Sequence, residues 1–190
     1  FDISPLRLYP HAELLKPRAY AEPQRYPQAG EANSNVRLGV VPASGGNTRW
    51  MDLGETRDTW LIGRVNWAPD SKGVFVQRLN RVQNRLDLLR AEASTGAVAE
   101  ILRETDPYWI NLSDHLQFTK GGKEFVWTSE RDGYRHLYIY SASGREWRQV
   151  TKGQWMITDL SCVDEAGKNA YFVSTDPSPL ERHFYRVALD

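Results

Sequence analysis

The chain has 190 residues, enough for one ordinary domain, and its 41% hydrophobic and 12% aromatic content can supply a core. Its 24 basic and 24 acidic side chains cancel, which disfavours a generic nucleic-acid binder, because that function shows as a basic excess. No apolar run approaches the roughly 18 residues that a membrane-spanning helix needs.

In residues 1–35, Pro5, Pro10, Pro17, Pro23 and Pro27 stand too close together for a helix or a central strand. This segment reads as an extended connection lying on the surface, with Tyr9, Tyr20 and Tyr26 packing it down and Ile3 and Leu6 as a remnant of an earlier strand. Val36–Val41 and Thr48–Leu53 read as two strands joined by the Ser44–Asn47 turn. Four strands follow: Leu61–Trp67, Val74–Leu79, Leu86–Ala91 and Ala97–Leu102. Leu79, Val82, Leu86 and Leu89 also fit a helical spacing, which competes with the alternation at Leu86 and Leu88. The next unit repeats the layout at His115–Phe118, Phe125–Ser129, His136–Tyr140 and Glu146–Val150. A third unit offers Ile157–Val163, Ala170–Ser174 and Phe184–Leu189, one strand short.

Gly73, Gly122 and Gly167 each precede an apolar, aromatic-rich strand, at spacings of 49 and 45 residues. A period in that range, with several strands per unit, is the signature of a β-propeller. The predicted fold is therefore all-β: a partial β-propeller of about three blades of four-stranded antiparallel sheet. The divisions expected are the Pro-rich connection (1–35), the end of a partial blade (36–56), full blades at 57–105 and 106–153, and a partial blade at 154–190.

Candidate chemistry is sparse. No G-x-S-x-G elbow occurs, and neither H-x-x-x-H nor C-x-x-C is present for a metal. His136 and His183 each open the third strand of a unit, which points to packing or turn hydrogen bonds. Trp67 and Trp127 are expected to fill the space between stacked sheets, and Cys162 to be a small buried hydrophobe. Asn111-Leu-Ser113 is a formal glycosylation triplet of little weight, and no catalytic residue, metal ligand or cofactor is assigned.

Four stretches in series carry a resemblance: Tyr26-Pro-Gln-Ala-Gly-Glu-Ala-Asn33, Gln77-Arg-Leu-Asn-Arg-Val-Gln-Asn84, Ser129-Glu-Arg-Asp-Gly-Tyr-Arg-His-Leu-Tyr138 and Val150-Thr-Lys-Gly-Gln-Trp155. In order and kind they resemble the propeller region of the dipeptidyl peptidase IV family, a branch of the prolyl oligopeptidase-type serine peptidases. The resemblance implies an eight-bladed propeller capped by a C-terminal α/β-hydrolase domain, which carries a Ser-Asp-His triad and removes dipeptides from peptide N-termini. It also implies a periplasmic or secreted setting.

On that reading the chain is a propeller fragment that scaffolds and gates the substrate chamber of a hydrolase domain outside it, and is non-catalytic alone. Its expected partners are that domain, the parent's peptide substrates and, through exposed strand edges, other copies of itself, with no nucleic acid and no membrane contact. Some relatives place an arginine and an aromatic near substrate in the loop before the strand matching Leu116–Phe118. Here that loop reads Tyr108-Trp-Ile-Asn-Leu-Ser-Asp114, with no arginine, so Trp109 and Asp114 are the substrate-proximal candidates. Arg81, Gln83 and Asn84 are weighed as a polar strand exit that satisfies turn backbone, against substrate contact. The alternative function is a stand-alone propeller interaction module without peptidase chemistry.

Overall fold

The computed structural model describes residues 1–55, 59–164 and 168–190. Gly167, the last of the three spaced glycines, and the division at 56/57 lie outside the described residues. The described residues are all-β, arranged in antiparallel sheets of two to four strands.

Strands β1 (Leu8–Glu13) and β2 (Tyr20–Arg25) form an exposed hairpin where an extended connection was expected. Pro10 lies directly opposite Pro23 in its register. A two-stranded ribbon tolerates this because each strand has one unpaired edge, where a missing N–H costs nothing. Asp2 bridges Asn35 through two backbone hydrogen bonds of 2.8 and 3.1 Å, and Leu6 is buried.

Strands β3 (Gly39–Val40) and β4 (Arg49–Trp50) pair where longer strands were predicted, and the ladder is extended by a 2.9 Å bond from Met51 N–H to Leu38 C=O. The next sheet runs in sequence order through β5 (Trp60–Trp67), β6 (Gly73–Asn80), β7 (Arg85–Glu92) and β8 (Val98–Thr105). The helical alternative over 79–89 does not form: β6 and β7 are joined there by a tight turn. The following sheet comprises β9 (Gln117–Thr119), β10 (Glu124–Ser129), β11 (His136–Ser141) and β12 (Trp147–Gln149), again in sequence order. The last holds β13 (Ile157–Val163), β14 (Asn169–Ser174) and β15 (His183–Ala188).

Alternation within the strands explains how the sheets pack. In β6, Val74 and Val76 join Met51 and Leu53 in one cluster, while Phe75 and Leu79 face the other way. Phe75, Leu86, Leu88 and Leu102 pack on Phe125, Trp127, Tyr138 and Tyr140 of the next sheet. The opposite face of that sheet, Val126, Leu137 and Ile139, packs on Ile157, Leu160 and Phe172. A strand buried on both faces reads as a continuous apolar run, as β6, β10 and β11 do.

Two expectations fail here. Trp67 is 55% exposed whereas Trp127 is 1% exposed. The two are not equivalent: Trp67 ends the first strand of its sheet, where its counterpart is Phe118, and Trp127 sits inside a second strand. Cys162 is exposed. An irregularity in the β13–β14 register between Leu160 and Cys162 breaks the alternation that would have buried it.

Candidate functional site

The connection between β8 and β9 carries Trp109 and Asp114 and is shaped by local chemistry. The Asp106 carboxylate accepts the N–H groups of Tyr108 (2.7 Å) and Trp109 (3.1 Å), a turn that only a short acidic or amide side chain closes. The connection is tied to the β6–β7 turn, since Asp106 N–H donates to Asn84 C=O and Ile110 N–H to Gln83 C=O. Within that turn the Asn80 side-chain oxygen accepts the N–H groups of Asn84 and Arg85, both at 3.0 Å. The Asn84 side chain accepts from the Asn80 amide at 2.7 Å, and Arg81 donates to Glu31 C=O.

Farther along, Gln77 holds Ser113 by both backbone groups. Its amide donates to Ser113 C=O at 2.5 Å and accepts Ser113 N–H at 3.2 Å. Gln77 is buried in β6, and these bonds satisfy a polar group that could not otherwise stay there. Asp114 turns outward and pairs with Arg64 of β5, including a 3.3 Å bond to Oδ2. The adjacent guanidinium holds the Asp114 carboxyl below its usual range. Trp109, half-exposed, lines a cleft between the sheets together with Glu104, Asn111, Ser129, Glu130 and Arg135, and Asp114 does not line it.

The floor of this cleft is an ionic and aromatic node that neighbouring residues in sequence do not suggest. The Glu104 carboxylate, at the end of β8, accepts from Trp127 Nε1 (3.1 Å), Ser129 Oγ (2.9 Å) and Arg131. Arg131 also donates to the Tyr140 hydroxyl and lies over the rings of Tyr138 (4.5 Å) and Trp147 (5.1 Å). Burial raises the Tyr138 hydroxyl to about 12, and Tyr140 moves in the same direction for the same reason, so both stay protonated. At the rim, Glu130 accepts from Arg135 (2.7 Å) and Asn111 (3.0 Å), which also engages the glycosylation triplet.

A hydroxyl–imidazole–carboxylate series does occur here. Ser113 Oγ is 2.9 Å from Thr128 Oγ1, which is 3.3 Å from His115 Nδ1, and His115 Nε2 is 3.7 Å from Asp159. Both hydroxyls are buried, at 5% and 6% exposure, so the series joins elements inside the fold and presents no nucleophile to solvent. His136 is likewise structural: its Nε2–H donates to Gly153 C=O at 3.0 Å, its Nδ1 faces Thr151 Oγ1, and its ring meets Trp155 edge-on. His183, expected to match it, is half-exposed and pairs with Glu181.

The whole chain, residues 1–190, matches the family described as the Dipeptidyl peptidase IV (DPP IV) N-terminal region. It is 31% identical over 173 residues to dipeptidyl peptidase 4 of Arthroderma otae, covering 87% of this chain and 22% of that protein. It is 28% identical over 190 residues to the inactive dipeptidyl peptidase 10 of Mus musculus, covering 93% of this chain and 23% of that one. Porphyromonas gingivalis dipeptidyl peptidase 4 superposes with a TM-score of 0.86 at 28% identity, over 97% of this chain and 26% of that structure. The chain thus spans about a quarter of the length of the proteins it matches. Its fold and its residues together make it a member of the dipeptidyl peptidase IV N-terminal region family.

Proposed function

We propose that this chain is a section of a β-propeller in a dipeptidyl-peptidase-IV-like serine exopeptidase, where it scaffolds and gates the chamber of an α/β-hydrolase domain outside these residues. The carrying observation is a repeated contact, in a chain of this family. The β7–β8 turn places Gly96 against the backbone of Trp50 in β4, and the β11–β12 turn places Gly144 against the backbone of Ile101 in β8. The two four-stranded sheets therefore each seat the same turn on the outer strand of the sheet before it, as successive blades do. On this reading the blades are 57–105, 106–153 and the incomplete 154–190, with 36–56 closing an earlier one. Trp109 and Asp114 lie on the connection between two blades and are the substrate-proximal residues.

The test is release of N-terminal dipeptides from Xaa-Pro chromogenic peptides by the parent chain and by the 190-residue chain. The parent is expected to release them and the 190-residue chain to release none. A folded parent without hydrolysis would count against the peptidase reading and favour the interaction module.

The same reading predicts self-association of the 190-residue chain. The outer edge of β15 has no further strand among the described residues, and Phe184 on it is 65% exposed. Unpaired edges of this kind recruit other strands. Sedimentation velocity is expected to show an average mass that rises with concentration, and a clean monomer throughout would remove the prediction.

A further inference from the structure

His115 stands where three parts of the molecule meet. Its own N–H donates to Ser113 Oγ in the β8–β9 connection at 3.3 Å. Its Nδ1 lies 3.3 Å from Thr128 Oγ1 on β10, and its Nε2 accepts the backbone N–H of Leu160 on β13 at 3.4 Å. An amide N–H can only donate, so Nε2 carries the lone pair, and the proton of the neutral ring sits on Nδ1 and points to Thr128. Beside Nε2, 3.7 Å away, is the Asp159 carboxylate, which also accepts the Ser161 hydroxyl. The imidazole is therefore set between two partners on one strand: a backbone donor that suits the neutral ring and a carboxylate that suits the protonated one.

We propose that His115 is a proton-controlled joint between the β9–β12 and β13–β15 sheets: neutral, it holds the Leu160 backbone; protonated, it releases Leu160 and turns to Asp159. Protonation adds a hydrogen at Nε2, and the Leu160 N–H then faces another donor and loses its acceptor. The β13–β14 ladder is irregular on both sides of this amide, between Ile157 and Asp159 and between Leu160 and Cys162. The charged groups facing the ring are Asp159 on β13, Asp114 in the connection and Arg135 just before β11. Asp114 is occupied by Arg64 and Arg135 by Glu130, so Asp159 is the carboxylate free to take the new charge. Through Ser113 the joint is attached to the connection that bears Trp109 and Asp114.

Burial lowers the His115 proton affinity below that of an ordinary histidine, with Asp159 opposing. The sign follows. An unfolded chain binds this proton near pH 6.5 and the folded chain only at lower pH, so stability is full above 6.5 and falls as the pH drops toward the folded value.

The experiment is histidine-ring and amide NMR of the protein between pH 8 and 5, alone and as Asp159→Asn, an exposed substitution. At neutral pH the His115 ring is expected to show a protonated Nδ1 and an unprotonated Nε2. On acidification the ring is expected to titrate and the Leu160 amide to shift and lose protection with the same midpoint. Asp159→Asn is expected to keep the neutral tautomer and move that midpoint to lower pH. An Nε2–H tautomer at neutral pH, a Leu160 amide indifferent to the titration, or a midpoint unmoved by Asp159→Asn would each overturn the proposal.

Discussion

Truncating Asp87 to alanine is expected to destabilise the protein by about 3–5 kcal/mol, the usual cost of removing one partner from a buried ion cluster. Asp87 is fully buried in the middle of β7, and three arginines close on it. Arg78, its cross-strand neighbour on β6, donates at 2.8 Å; Arg103, its neighbour on β8, at 2.9 Å; and Arg85, two residues back on β7, at 3.0 and 3.1 Å. Arg78 has the least freedom to escape. Its side chain is 15% exposed, its other nitrogen donates to Leu53 C=O at 2.7 Å, and its plane lies 3.9 Å over the Trp60 ring. Without the carboxylate, Arg78 loses the counter-charge that balances it in a sheet interior, and among the described residues Arg85 and Arg103 share Glu100.

Burial alone would raise the Asp87 pKa, but the hydrogen bonds from Arg85, Arg78 and Arg103 outweigh it and hold the carboxyl below its ordinary 3.8. The stabilisation is therefore present above that value and lost as pH falls through the lower folded one. Urea unfolding at pH 7 measures the first effect, and the flattening of the acid limb below pH 4 in Asp87→Ala measures the second. Asp87→Asn, which keeps the shape and loses the charge, is expected to fall between the two proteins. A midpoint for Asp87→Ala equal to the parent's would mean that the arginines find other partners.

This cluster also shows where sequence reading stops. Leu86-Asp87-Leu88 alternates as a half-buried strand should, and alternation correctly puts Asp87 on the face opposite Leu86. Period alone cannot say that this face meets arginines from two flanking strands. The strands of the two four-stranded sheets were legible to within a few residues, because their signals are local: apolar runs, aromatic content and Gly turns. The pairs that shape the candidate site are not local. Gln77 and Ser113 are 36 residues apart, Arg64 and Asp114 are 50 apart, and neither pair leaves a mark on its neighbours. Glu104, in an Arg-Glu-Thr strand end, reads as a solvated charge until Trp127 and Arg131 from the next sheet are placed on it. Trp109 was reached only through the family resemblance, as a candidate in the loop before Leu116–Phe118, and which cleft it lines depends on how two sheets stack.

Among the turn glycines, Gly144→Ala is expected to be the most damaging, at about 2–5 kcal/mol. The figure combines roughly 1–2 kcal/mol for a left-handed backbone at a residue with a Cβ and about 1–3 kcal/mol for overpacking. Gly144 has φ +74°, and a Cβ there would sit 1.8 Å from the carbonyl oxygen of Ile101 and 2.7 Å from its carbon. These are backbone atoms of β8, so no rotamer change relieves the clash; one sheet must withdraw from the other, at the expense of the cluster that Phe75 and Leu88 form with Phe125 and Tyr138. Gly121 is an internal control. It has a similar φ of +66° and nothing within 4 Å of its would-be Cβ, so Gly121→Ala carries the backbone term alone, roughly 1–2 kcal/mol. The difference between the two variants in urea unfolding isolates the inter-sheet contact from the turn conformation. Equal losses would show that the β11–β12 turn does not sit tightly on β8, and the argument for regularly stacked sheets would lose its main support. Gly96, with φ +81° and a would-be Cβ 2.3 Å from the Trp50 carbonyl oxygen, is expected to behave like Gly144, since the same turn meets the same kind of neighbour one unit earlier.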